Sequence, residues 1–402
     1  MDFSLTEEQL LIRDTARRIA RDVILPHVER YDRERAIPWE AIKALAEAGM
    51  LAPILPEQYG GPGFSYLEYA LIGEQIAWAD TGTSTVMGAH CSLAVAPILN
   101  YGTEEQKQHY LPKMGSGEWL GAFALTEPNA GSDASNIAVY AEDKGDHWLI
   151  NGTKQWTTNG DIAKVVILFA TVDPSKGLAG VTPFIIDTDI PGYSIGGIEQ
   201  TMGIHASHQC VTQYDNMKVP KDAVLGGTRN VGRGFQVAMG ILDGGRVGVA
   251  ASATGLATRA LEEAIKYMDS RVQFGQKISK FQALQFKVAD MATKVNAARL
   301  MAYYAAWLKS IGAKMTREAA MAKLFASDVA MEVTVDAVQL HGGYGYSMEY
   351  PVEKLMRDAK IHQIYEGTNE IQRMVIARDV FKRGVFIPFE QIEEALSAHA
   401  SV

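Results

Sequence analysis

The texture of this 402-residue chain changes twice, and those two changes restrict its architecture more than any single motif. Up to Trp119 the pattern is helical. Thr6 and Gln9 are spaced as a capping box, and Ile12, Ala16, Ile19 and Val23 step by four, three and four along one helix face. From Trp119 to about Val231 the apolar runs become short and β-rich: H-W-L-I, V-V-I-L-F-A, V-T-P-F-I-I-D. Turn clusters (N-G-T-K, T-N-G-D, D-P-S-K-G, I-P-G-Y) separate them at the close spacing of an antiparallel sandwich or barrel. That spacing leaves no room for helical crossovers, which excludes a dinucleotide-type parallel sheet. After V-G-R-G-F the helical period returns: Phe281, Leu284, Val288, Met291, Val295 and Ala298 mark one long helix, and Leu324, Met331, Val335 and Val338 a second. Stripes of this kind are bundle core. The expectation is a helical domain over 1–119, a β domain over 120–231 and a helical bundle over 232–402.

The bulk properties remove several classes of function. A net charge of -9 is wrong for a nucleic-acid binder, which needs a basic stripe. Any anionic ligand must be held by local arginines, helix N-termini and backbone amides. Cys91 and Cys210, far apart and outside any C-x-x-C, fit a reducing cytoplasm. The opening M-D-F-S-L-T-E-E-Q is acidic where a targeting peptide is basic. No apolar run is read as approaching the roughly 18 residues of a membrane span. These points predict a soluble, cytoplasmic protein.

No G-x-G-x-x-G, P-loop, H-E-x-x-H or G-x-S-x-G occurs. His205 and His208 lie in a turn-rich β region without neighbouring ligands, so they read as a satisfied pair, with no metal expected. Five polar or glycine-rich stretches remain: F-A-L-T-E-P-N-A-G-S-D (123–133), Q-W-T-T-N-G (155–160), L-D-G-G-R (242–246), S-R-V-Q-F-G (270–275) and Q-L-H-G-G-Y-G-Y (339–346). Each alone reads equally as loop or turn chemistry. Near the end stands Q-I-Y-E-G-T-N-E-I-Q, where Glu366 precedes a helix that Thr368 or Asn369 would cap. Taken alone, that glutamate is a solvent-facing turn residue near a helix N-terminus.

In this order and spacing the stretches resemble the acyl-CoA dehydrogenase family over essentially the whole chain. The short-chain, butyryl-CoA type is the nearest in look, its L-D-x-G-R-[IV]-G standing here as L-D-G-G-R-V-G. The resemblance implies a mainly α fold with a β domain: N-terminal helices, a central antiparallel β sandwich or barrel, and a C-terminal four-helix bundle. It implies FAD held between the β domain and the bundle. Phe123, Leu125, Thr126 and Ser132 would line the flavin, with Ser132 also touching the thioester arm. Trp156 and Thr158 would lie against the isoalloxazine, and Arg271 would meet the pyrophosphate. Gln282, Gln339, Leu340, His341, Gly342 and Gly343 would contact the adenine half of a neighbouring subunit's flavin, which implies a homotetramer. Thr368, Asn369 and Glu370 would cradle the cofactor at a helix start.

For Glu366 the resemblance implies a base that takes the α-proton of an acyl-CoA thioester as the β-hydrogen leaves to flavin N5. Tyr365, Gly367, Asp243 and Arg246 would stand on the substrate side. The carboxylate needs its pKa raised toward working pH, and burial beside Tyr365 would do that. The Glu366 backbone N–H, with a flavin ribityl hydroxyl, would bind the developing enolate oxygen. Isovaleryl and long-chain members carry their base where Gly245 stands here, which points back to Glu366. Glutaryl-type members carry an arginine at the position of Ser84, which weakens a dicarboxylyl substrate. The chain reads G-I-H-A-S at 203–207 where short-chain members have arginine, and His205 and the polar 208–216 segment put partner docking or strand packing in question. Electron-transfer flavoprotein is the implied acceptor. The alternatives are an oxygen-using acyl-CoA oxidase, to which the short stretch after the last bundle helix is ill suited, and a non-catalytic acyl- or flavin-binding scaffold. Acyl chain length is not legible in the spacing.

Overall fold

A computed structural model describes residues 4–385 and 389–399. Positions 1–3, 386–388 and 400–402, at the ends of the first and last expected domains, lie outside the described residues. The N-terminal part holds α1 (Glu7–Ile19), α2 (Val28–Glu34), α3 (Trp39–Glu47), α4 (Tyr66–Ala79), α5 (Thr81–Gly88), α6 (Ala96–Tyr101) and α7 (Glu104–Gly115). The middle holds β1 (Gly121–Ala124), β2 (Tyr140–Asp143), β3 (His147–Thr158), β4 (Val165–Thr171), β5 (Val181–Asp187), β6 (Tyr193–Ile198) and β7 (Gln209–Pro220). After it come α8 (Gly234–Ser270), a small hairpin of β8 (Val272–Gln273) and β9 (Gln276–Lys277), then α9 (Gln282–Ser310), α10 (Thr316–His341), α11 (Val352–His362), α12 (Asn369–Arg383) and α13 (Phe389–His399).

The Thr6–Gln9 capping box forms, each residue satisfying the other's backbone N–H. Ile12 and Ala16 are buried as expected, but Val23 is only half-buried and Ile24 takes the core position. The cause is a π-helical turn at Ala20–Ile24, which widens the helix and rotates the inward face by a residue. A second π-turn, Ala89–Val95, joins α5 to α6. The stretch Thr81–Tyr101 is therefore one continuous helical run, long and apolar enough to cross a membrane, with 78% of its apolar window buried inside the protein. The sequence reading missed this run because glycines and threonines dilute it; its burial makes it a core helix.

The seven strands form one curled sheet in the order β1-β4-β2-β3-β7-β6, with β5 also on β4. Antiparallel pairings predominate, but β1 and β2 each run parallel to β4. Every residue of β4 is buried. In the bundle α9 buries Met291, Val295 and Ala298 as expected. The stripe assigned to α10 borders its core face: Leu324, Met331 and Val338 are half-buried and Val335 is exposed, while Ala319, Ala322, Ala326, Ala330, Val333 and Ala337 are fully inside. They meet Ala250, Ala253, Ala257 and Ala260 of α8. Small side chains on both faces let the two axes approach closely, with Phe325, Met331 and Val338 packed at the margin of the contact.

A buried polar junction ties the three parts together. Lys354 of α11 bridges Asp80, the N-cap of α5, at 2.8 Å and Asp358 at 2.6 Å. Asp358 in turn accepts the backbone N–H of Ile204, and Arg357 grips Asp32 and Glu353. His205 packs against Asp32 of α2 (3.0 Å), and His208 pairs with Asp161 (2.5 Å) and bonds the carbonyl of Arg35, the residue that ends α2, so both histidines join the β domain to α2 and its C-terminal end. No cluster of metal-ligating side chains occurs among the described residues. Lys354→Met would leave Asp80 and Asp358 buried without their cation. The expected loss is roughly 3–5 kcal/mol of unfolding free energy in urea titration; a loss below about 1 kcal/mol would show the junction to be dispensable.

Candidate active site

The turn between α11 and α12 is built around a strained residue. Glu366 has φ +54, a left-handed conformation unusual for a side chain of its size, and Gly367 follows at φ +91. Thr368 caps α12 by accepting the N–H of Ile371. Three side chains hold the turn from behind. Gln372 donates to the carbonyls of Gly367 (2.7 Å) and Glu366 (3.2 Å). Lys323 donates to the Gly367 carbonyl (2.9 Å), and Arg246 reaches the Glu366 carbonyl at 3.5 Å. The backbone N–H of Glu366 makes no hydrogen bond within the described residues.

The solvent-facing reading of Glu366 does not hold. The residue as a whole is half-buried, but its Oε2 is shut away from solvent and has no hydrogen-bond partner. Burial pushes its pKa up to about 7, opposed by the positive charges of Arg246 and Lys323. The room for this carboxylate comes from α8: a Cβ on Gly245 would lie 2.0 Å from Oε2. Gly245 and Glu366 thus occupy one space, and the chain can place an acid there from one side or the other, not both. Around them burial raises the Tyr365 pKa and lowers that of His362 to about 4, leaving a neutral imidazole bonded to Ser252.

Asp243 and Arg246 pair with each other at 2.8 Å, and Asp243 also accepts Thr316 at 2.6 Å. Both are committed to joining α8, α10 and the turn. Asn369 likewise spends its side chain inside the bundle, on Lys323, Ser327 and Asp328, and its backbone N–H donates to the Gln363 carbonyl at 3.0 Å. Glu370 is exposed. Ser84 is buried with its hydroxyl near the Gly73 carbonyl, and no cation stands at that position.

The β-domain residues form a second group. Phe123 lies on β1, and Leu125 and Thr126 just beyond it. A bulge in β3, between Lys154 and Thr157, turns Trp156 outward at φ +61 with 52% of its surface exposed. The Thr158 hydroxyl donates to Gln209 at 2.6 Å, and Ser132 is exposed in the loop beyond. That loop is anchored by a pair the sequence reading overlooked. Lys154 is completely buried and bonds Glu127 at 2.7 Å and the Leu125 carbonyl at 2.8 Å. Glu127 also accepts the N–H groups of Ala138 and Val139.

A third group lines a cavity of about 630 Å³ at the far end of the bundle: Arg271, Gln339, Leu340, His341, Gly342 and Gly343, with Tyr267 and Tyr344. Gln282 stands exposed at the start of α9, outside this lining. Arg271 has no ion pair among the described residues and lies 5.4 Å from the Tyr344 ring centre. No residue of the first two groups lines this cavity.

Family models match the chain in three consecutive blocks: the N-terminal domain of acyl-CoA dehydrogenases over residues 6–118, the middle domain over 122–217 and the C-terminal domain over 232–381. The chain belongs to the acyl-CoA dehydrogenase family. It is 44% identical to a short-chain specific acyl-CoA dehydrogenase of Clostridium acetobutylicum, over 95% of this chain and 100% of that one. It is also 43% identical to an acryloyl-CoA reductase (NADH) of Anaerotignum propionicum, over 95% and 97%. The butyryl-CoA dehydrogenase structure of Megasphaera elsdenii superposes with a TM-score of 0.92 at 44% identity, covering 95% and 100%. A chain from a structural study of the electron transferring flavoprotein of Acidaminococcus fermentans superposes at 0.93 with 48% identity, covering 95% and 100%.

FAD is the cofactor of this family, and the residues present fit it. The exposed indole in the β3 bulge suits a flat ring, and the unpaired guanidinium of Arg271 suits a pyrophosphate. Beyond the sites expected from the sequence, Lys323 and Gln372 complete the turn. The clue to Lys323 was a single charge at core spacing in A-A-M-A-K-L-F-A; Gln372 carried no signal beyond its place after a helix start.

The strain on Glu366 has a measurable sign. Its folded pKa lies above the unfolded value, so the native state holds the extra proton between about 4.5 and 7, and stability falls as pH rises through that window. Glu366→Gln is therefore expected to raise the melting temperature of the flavin-loaded protein more at pH 8 than at pH 5. An equal effect at both pH values would contradict the burial of the charge.

Proposed function

We propose that the protein catalyses α,β-dehydrogenation of a short acyl-CoA thioester to the trans-2-enoyl-CoA, with Glu366 as the base. The carrying observation is the buried, unpartnered carboxylate facing Gly245 from a strained turn. Bound FAD supplies the acceptor for the hydride from the β-carbon. The chain's part is to take the α-proton and to stabilise the charge that this develops. An α-C–H next to a thioester is a weak acid, and a base with a pKa near 7 both accepts the proton and is ionised at neutral pH. The Glu366 N–H, left without an acceptor, is the donor for the thioester oxygen. Holding the two adjacent carbonyls with Gln372, Lys323 and Arg246 fixes that N–H and the carboxylate together.

Phe123, Leu125, Thr126, Ser132, Trp156 and Thr158 are assigned to the ring side of the cofactor, with the Lys154–Glu127 pair keeping their loop in place. Arg271 and the 339–343 segment share a cavity that the β-domain group does not reach, which supports their serving the flavin of a second subunit, with Gln282, in a homotetramer. Asp243 and Arg246 are better suited to bracing the turn than to touching substrate. Electron-transfer flavoprotein as acceptor is supported by the similarity to the Acidaminococcus chain. Short acyl groups are supported by the Clostridium and Megasphaera relatives. Two buried, unpaired cysteines suit a reducing cytoplasm.

The test is an anaerobic visible titration with butyryl-CoA, octanoyl-CoA and, on the dithionite-reduced protein, crotonyl-CoA. Bleaching of the flavin band by butyryl-CoA is expected, with a rate that rises with pH through about 7 and then levels. Glu366→Gln is expected to keep its flavin and slow bleaching by at least about 10²-fold. A protein bleached by neither saturated thioester but reoxidised by crotonyl-CoA would work as a reductase, like the Anaerotignum relative. A protein that takes up no FAD would leave a scaffold. Gly245→Ala pushes a methyl into Oε2 and should slow bleaching by roughly 10²-fold, the scale expected for an ångström of misplacement; a wild-type rate would show that the two sites do not share space.

A further inference from the structure

We propose that Lys323 is a positioning residue for the reaction: its buried ammonium clamps the Glu366–Gly367 turn and adds, beside Arg246, a positive charge that keeps the Glu366 carboxylate ready to accept a proton. The inference rests on Glu366 being the base.

Lys323 is 0% exposed, in the first third of α10, where Ala319, Ala320, Ala322, Ala326 and Ser327 are buried around it. A cation at such a place is costly unless something compensates it. Among the described residues Lys323 has no ion pair; its two acceptors are the neutral Gly367 carbonyl and the Asn369 side-chain oxygen, each at 2.9 Å. The geometry aims the charge at the turn and leaves it unneutralised there. Glu366, one residue from the clamped carbonyl, is its leading electrostatic partner, and the attraction works in both directions. Burial, opposed chiefly by the charge of Glu366, brings Lys323 down to about 7, so the pair titrates in one range.

Other charged and titratable groups face this pair from every packed element. Arg246 of α8 favours the ionised carboxylate more strongly than Lys323 does, but it is already ion-paired with Asp243 and reaches the turn only at the Glu366 carbonyl, 3.5 Å away. Asp328 of α10 is occupied by Gln363, Asn369 and Arg373. Glu370 of α12 is exposed, and His362 of α11 is neutral. Tyr69 of α4 and Tyr365 are held un-ionised by burial. Of the two buried cations beside the base, Lys323 is the one without an ion pair among the described residues.

A hydrogen-bonding strut and an electrostatic one predict different pH behaviour. Lys323→Gln keeps a donor toward the Gly367 carbonyl without the charge, Lys323→Met fills the volume without either, and Lys323→Arg keeps both. Flavin content is measured first, so that the result is read from whichever neutral variant holds cofactor. Flavin reduction by butyryl-CoA is then followed by stopped flow from pH 5.5 to 9, with Glu366→Gln alongside. Loss of the charge is expected to move the rising limb upward by about one pH unit, a tenfold slower reaction at pH 6 that recovers by pH 9; Lys323→Arg is expected to return the limb toward wild type. A neutral variant whose limb stays in place, or whose rate falls by one factor at every pH, would overturn the proposal. A fully active Glu366→Gln would instead sink the assignment of the base.

Discussion

The structure depends on keeping one carboxylate out of water in a backbone conformation it would not choose. A left-handed glutamate and a buried charge are each unfavourable, and they persist where surrounding contacts over-determine them. Here those contacts come from three helices: Arg246 and Gly245 from α8, Lys323 from α10, and Gln372 from α12. The alanine-lined approach of α8 to α10 sets the distance at which these groups converge. The bundle is in this sense a frame for one turn, and its packing geometry and its chemistry are the same fact.

That frame has to be registered against the β domain, because the exposed Trp156 and the buried Glu366 sit on different bodies. Asp358 on α11 does this by taking both the Lys354 ammonium and the Ile204 N–H, with α5 joined through Asp80. His205 adds a contact at the same junction through Asp32. His205 therefore belongs to the joint between domains.

The three-part architecture was legible because helical and strand periods are local properties of the chain, as were the Thr6–Gln9 box and the Thr368 cap. What misled the reading was packing. The α10 stripe marked the margin of the core and not its centre, since alanine carries little hydropathy yet lets helices approach closely. Val23 failed since a π-turn adds a residue that no period anticipates. The Thr81–Tyr101 run was hidden by its glycines and threonines. At the site, motif residues came from resemblance, and the sequence could not tell which of them are braces. Asp243, Arg246 and Asn369 turn out to be engaged with the protein itself, while Lys154 and Glu127, 27 residues apart, meet only in the fold.

The most direct measurement is loss of deuterium from C2 of butyryl-CoA labelled at that position, incubated with the flavin-loaded protein in water without an electron acceptor. A base buried beside the α-carbon and in place before any hydride leaves should exchange the label into solvent in the wild-type protein, and Glu366→Gln should not. Equal exchange by both proteins would contradict the account of Glu366.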